Sequence, residues 1–94
     1  MALISNAVTV TTTPTRVTSA PEDSVISQSV LIAPRNGTVA VVNDESDTGY
    51  DDRLKVGKQG DVPYITFQLD SDAEDVWLRT TSVTVVVAVL EQGL

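Results

Sequence analysis

The chain has 94 residues, neither cysteine nor histidine, and a formal net charge of −7 from six basic and thirteen acidic side chains. That length fits one small domain, 1–94, with a modest core. It allows no disulfide or thiolate metal site, and it lacks the commonest general base and zinc ligand. The basic residues, Arg16, Arg35, Arg53, Lys55, Lys58 and Arg79, are scattered rather than striped, which argues against nucleic acid as a partner.

No basic stretch followed by an apolar run marks the N-terminus as a secretory signal, and no apolar run approaches a bilayer span. The expectation is a chain made in the cytoplasm, with no membrane partner. Ala2-Leu3-Ile4 is apolar ahead of the first clear strand, so residues 1–6 read as an arm that docks on the protein's own sheet or on a neighbour. Ala7 to Thr13 alternates valine with threonine, a period-2 strand signal that puts Val8 and Val10 toward a core. Pro14 stops it, and Thr15-Arg16-Val17-Thr18 resumes as a short edge piece. Residues 19–24 read as a loop; Ser19 and Pro21 fit a helix start, but no 3.6-residue apolar period follows.

Val25 to Ala33 is the next strand region, with Val30 and Ile32 on one face and Ser29 and Leu31 on the other. Pro34-Arg35-Asn36-Gly37 reads as a tight hairpin turn, because Asn-Gly supplies positive φ, and 38–43 is expected to return antiparallel to it. An acidic loop, 44–52, leads to Arg53-Leu54-Lys55-Val56, read as a strand with Leu54 and Val56 inward. Residues 57–61 form a turn, Val62 to Leu69 a strand, and 70–75 a second acidic loop. Val76 to Thr80 is another strand. The last is Val83 to Leu90, apolar on both faces, with Val83, Val85, Val87 and Val89 expected in the core. Val86, Ala88 and Leu90 are then left for a subunit contact. The sum is seven or eight short strands and no convincing helix, an all-β, single-domain antiparallel β-sandwich of jelly-roll-like form.

Sites for chemistry are sparse. Asp44, Asp47, Asp51 and Asp52 offer oxygen ligands for calcium, but the twelfth position counted from Asp44 is Lys55, where an EF-hand needs Glu. The other reading is a solvated loop, and the same choice applies to 70–75; no metal or other cofactor is assigned. A Ser nucleophile would lack a histidine base, and Gly57 and Gly60 match neither nucleotide fingerprint. No catalytic residue is assigned, and the chain reads as a non-enzyme. Trp77 with Arg79 has the composition of an interface hot spot if Val76 and Leu78 face the core; in the opposite register Trp77 is itself a core residue. The residues expected at partner interfaces are therefore Leu3, Ile4, Trp77, Arg79, Val86, Ala88 and Leu90.

The order of elements carries a resemblance. It runs from the threonine-valine opening strand ending in Pro14-Thr15-Arg16-Val17, through Val30-Leu31-Ile32-Ala33-Pro34-Arg35-Asn36-Gly37-Thr38-Val39 and Leu54-Lys55-Val56-Gly57-Lys58-Gln59-Gly60-Asp61. Val76-Trp77-Leu78-Arg79-Thr80 and the valine strand ending Val89-Leu90-Glu91 complete it. Over nearly the full chain this resembles the small all-β virion proteins of tailed bacteriophages, of the capsid-decorating, head-stabilising kind. The resemblance implies a structural role on the outer capsid surface of the virion, with the major capsid protein as partner and a homotrimer as the assembled form. It also leaves open a carbohydrate- or receptor-binding module of a head fibre or tail, or a head–tail connector component.

Overall fold

A computed structural model describes residues 2–18, 27–69 and 75–93. These form eight strands: β1 Ala2–Val10, β2 Thr15–Arg16, β3 Ser27–Pro34, β4 Thr38–Val42, β5 Lys55–Gly57, β6 Ile65–Gln68, β7 Trp77–Arg79 and β8 Val85–Gly93. They make two four-stranded antiparallel sheets, in the orders β1-β8-β3-β6 and β2-β7-β4-β5. This is the jelly-roll order of a small β-sandwich. Every connection except β4 to β5 passes from one sheet to the other, and the first strand pairs with the last.

Alternation explains the core. Val10 on β1, Val30 and Ile32 on β3, and Val85, Val87 and Val89 on β8 point inward from the first sheet and are buried. Val39, Val56 and Leu78 meet them from the second sheet. Nearly all are β-branched, so they lose little side-chain freedom on a pleated surface and interdigitate across it. Ile65 and Phe67 pack at the β6 edge, and Leu69 continues their row. Glu91 ends the inward row of β8, buried and engaged in a polar interaction.

Three expectations are corrected. The segment 34–37 is no hairpin turn: β3 and β4 lie in different sheets, and the chain crosses between them there. β3 already has β8 on one side and β6 on the other, so β4 has no place beside it. Asn36 Oδ1 accepts the N–H of Val86 (2.9 Å), which prolongs the β3–β8 ladder instead of reversing the chain. Gly37 serves close approach, since a Cβ there would lie 2.8 Å from Val85 Cγ2, while the positive φ belongs to Gly57 (141°).

Val83 is not in the core but 58% exposed, because the Thr80 hydroxyl donates to the Val83 carbonyl and holds 80–83 as a turn ahead of β8. Leu54 is 42% exposed rather than inward: the strand begins only at Lys55, so no pleat fixes Leu54. Of the two places expected for the N-terminal segment, residues 2–6 take the protein's own sheet, as the first half of β1 paired along β8 as far as Gly93. The loop expected over 19–24 and most of the one over 70–75 lie outside the described residues.

Candidate functional site

A sandwich has two outer faces, and this chain treats them differently. On the second sheet the outward residues of β4, β5 and β7 include Ala40, Val42, Lys55, Trp77 and Arg79, with Ala40 between Lys55 and Arg79 in register. Ala40 is fully buried and Val42 only 5% exposed, although neither points into the sandwich. The acidic segment 43–54 covers them. It is a compact surface loop closed at its base by the bond from Val41 N–H to the Leu54 carbonyl (2.9 Å).

Side chains from both directions fasten this loop. From below, the Arg79 guanidinium donates to the carbonyls of Thr48 (2.9 Å), Gly49 (3.2 Å) and Thr12 (3.2 Å). Lys55 Nζ donates to the carbonyls of Asp51 (2.8 Å) and Arg53 (3.1 Å) and lies 5.2 Å from the Tyr50 ring centre. Within the loop, Asp47 takes a two-pronged contact from Arg53, Nη2 to Oδ1 at 2.9 Å and Nε to Oδ2 at 3.1 Å. The same carboxylate accepts the backbone N–H groups of Asn43 (2.8 Å) and Gly49 (2.9 Å). Asp44 Oδ1 accepts the N–H (2.9 Å) and hydroxyl (2.7 Å) of Ser46.

These bonds set the electrostatics. The Arg53 guanidinium first, then the N–H groups of Asn43 and Gly49, hold the Asp47 carboxyl far below the usual carboxylate range. The Ser46 hydroxyl and N–H lower Asp44 in the same sense, and Asp47 in turn raises Arg53. Two of the carboxylates considered as calcium ligands, Asp44 and Asp47, are therefore engaged in building a loop. Among the described residues no three acidic side chains converge as a metal site would require.

The outer face of the first sheet has no such cover among the described residues. Alternation and register place Leu3, Ser5, Ala7 and Thr9 of β1 beside Gln92, Leu90, Ala88 and Val86 of β8. Ser29, Leu31 and Ala33 of β3 continue these rows, and Thr66 and Gln68 of β6 end them. All are exposed or half-buried, and Leu3 is 67% exposed. None is charged. A row of alanines, Ala7, Ala88 and Ala33, forms a shallow furrow next to the ridge of Leu90 and Leu31. Apart from the enclosed Glu91, the acidic residues described, Asp44, Glu45, Asp47, Asp51, Asp52, Asp61 and Asp75, all belong to the second sheet and its connections. The acidic charge described is thus one-sided, while the basic Arg35, exposed just after β3, stands opposite Val86 at the end of the face.

The seven residues expected at interfaces separate accordingly. Leu3, Val86, Ala88 and Leu90 lie together on the uncharged face. Ile4 is half-buried on the inward side of β1. Trp77 and Arg79 lie on the opposite side of the molecule: Val76 and Leu78 are buried, so Trp77 takes the outward placement, half-covered, and Arg79 is spent on the loop. Trp77 also lines an open cleft of about 430 Å³ with Val42, Asn43, Asp44, Phe67 and Asp75. The residues that sequence reasoning left out of the face are Ser5, Ala7, Thr9, Ser29, Leu31 and Ala33. Their signal was the lack of any charge at alternate positions of two strands.

Comparisons with protein-family models, with curated proteins and with solved structures find no match.

Proposed function

We propose that the chain is a structural, non-catalytic virion protein of the capsid-decorating kind, docking through the uncharged face of its first sheet on the outer surface formed by the major capsid protein. The observation that carries this reading is the contrast between the two outer faces. One is wrapped by a charged loop of the chain's own, and on the other the strand residues described carry no charge and no cover from the described residues. A face that buries no charge is cheap to desolvate, and depletion of charge is what marks the centre of protein interfaces. The opposite, acidic side would then face solvent. The jelly-roll order recurs in viral capsid domains, which supports the reading by analogy of fold.

Co-sedimentation with undecorated tailed-phage capsids tests it. The wild-type chain is expected to pellet with the capsids. Val86→Lys and Leu90→Lys, both at exposed positions, should stay in the supernatant while keeping a wild-type circular dichroism spectrum. A wild-type chain that stays in the supernatant, or lysine variants that still pellet, would overturn the proposal.

One observation favours a second reading, a carbohydrate-binding module: the cleft places Trp77 next to Asn43, Asp44 and Asp75, an aromatic platform beside polar groups. Glycan-array binding that disappears in Trp77→Ala would select it over the first.

A further inference from the structure

The first sheet has a second exposed feature, its β1 edge. Four strands border the two sheets. Three are short: β2 has two residues, β5 three and β6 four. Short edges offer little to pair with, and β5 carries Lys55 besides. β1 has nine residues, Ala2–Val10, without charge, proline or a break in its register with β8. Among the described residues none of the usual protections of an edge is present.

The directions of its backbone groups follow from the bonds of β8. Val86 turns both its polar groups toward β3: its carbonyl accepts Arg35 N–H (2.8 Å), and its N–H reaches Asn36 Oδ1 (2.9 Å). Alternation along an antiparallel strand then turns those of Val85, Val87, Val89 and Glu91 toward β1. Their register partners are Val10, Val8, Asn6 and Ile4. The N–H and C=O groups of Leu3, Ser5, Ala7 and Thr9 therefore point away from the sheet, and among the described residues no strand lies beyond them.

We propose that this edge pairs antiparallel with β1 of a second copy, across a twofold axis at Asn6. That register sets Leu3 opposite Thr9 and Ser5 opposite Ala7 of the other copy, each pair exchanging both backbone bonds. It sets Ile4 opposite Val8 on the inner side, two half-buried aliphatic residues each lacking a neighbour on one flank. Asn6 meets its own counterpart, amide to amide. The occupant is a second copy because the strand is self-complementary in this register and free of charge. Contacts through the acidic second sheet would instead bring like charges together on a chain of net charge −7. The twofold axis stands normal to the sheet, so an eight-stranded sheet forms with both uncharged faces on the same side. The inference is independent of docking to a capsid, and it gives a dimer where the resemblance implies a trimer.

Sedimentation velocity on the free full-length chain over a dilution series, with hydrogen exchange at the two extremes, is the test. A reversible monomer–dimer equilibrium is expected, and the amides of Leu3, Ser5, Ala7 and Thr9 should exchange more slowly at high protein concentration. Ala7→Pro removes one N–H from each copy at the free edge while sparing the β1–β8 ladder; it should weaken the dimer about 30-fold. Ser5→Asp, which leaves the backbone intact, should weaken it at low salt and recover with added salt. A monomer or trimer at every concentration overturns the proposal. So does a dimer whose β1 amides exchange independently of concentration, or protection of those amides in the monomer, which would show the edge covered by the chain itself.

Discussion

Arg79→Ala probes whether the acidic loop is held over the second sheet by this side chain. Its guanidinium makes one good bond, to the Thr48 carbonyl at 2.9 Å, and two long ones at 3.2 Å to Gly49 and Thr12. Bonds from a charged donor contribute about 1.5–3 kcal/mol each in well-shielded positions. Here the group is half-exposed, two bonds are long, and water can reach the released carbonyls, so the sum is about 2 kcal/mol rather than three full bonds. With a urea m-value of about 2 kcal/mol/M, that lowers the unfolding midpoint by about 1 M. Trp77, the sole tryptophan, is half-covered beside Asn43 and Asp44 and reports the change directly. Urea titration followed by both far-UV circular dichroism and Trp77 fluorescence should show the lower midpoint. The native emission should shift to the red, as the loop lifts from Val42 and Trp77. Arg79→Lys keeps the charge but not the fork, and should recover less than half of the loss. A midpoint shift under about 0.2 M with unchanged native emission would refute the account.

Two further outcomes are expected. Gly57→Ala should cost about 3 kcal/mol or more: φ there is 141°, and a Cβ would lie 2.2 Å from the Gly37 carbonyl oxygen and 2.8 Å from Thr38 Cα, backbone atoms that cannot swing aside. A thermal midpoint equal to wild type would contradict that. Asp47 gives a pH signature: its carboxyl titrates below its ordinary 3.8 in the folded chain, so the stabilisation is fully present above that pH and is lost as pH falls toward the depressed folded value. Asp47→Asn should therefore be less stable than wild type by a constant margin at neutral pH, and the margin should close below pH 3.8 in parallel urea titrations.

Local alternation made the strands and their inward faces legible. Val8 with Val10, Val30 with Ile32 and Ile65 with Phe67 all follow from period 2, because one buried face fixes the direction of every side chain on a strand, whereas period 2 alone leaves two registers for Leu78 and Trp77. Pairing was not legible in the same way. Pro34-Arg35-Asn36-Gly37 has the chemistry of a hairpin turn, and the decision against one rests with Val85 and Val86, distant in sequence. Val83 failed for a related reason: an apolar run says nothing about where a turn held by the Thr80 hydroxyl will end. The uncharged face was visible in part, as the second side of the last strand. Joining Leu31 and Ala33 to it required the register of β3 on β8. The outward placement of Arg79 is one of two registers the sequence allows, and its assignment to the loop depends on carbonyls some thirty residues away in sequence.

The two outer faces pose the same physical problem with opposite outcomes. Ala40 and Val42 on one sheet, like Ala88 and Leu90 on the other, are apolar residues that alternation turns away from the core. For the first pair the chain supplies a loop, fastened by Arg79, Lys55 and the Asp47–Arg53 pair, and both residues are buried. The second pair receives no cover from the described residues, and no lysine or glutamate is set among its neighbours to discourage contact. Charge is plentiful in this sequence, so its absence from the described strand residues of that face, which only Arg35 borders, and from the adjoining β1 edge is not a matter of supply. Solubility instead rests on the acidic side, which keeps copies apart by repulsion in every orientation except those that bring the uncharged face or the β1 edge together. A molecule of this kind favours association in a few orientations. That is the property the capsid-docking proposal and the β1 pairing both require, and substitution of either surface by lysine or proline should remove it without unfolding the sandwich.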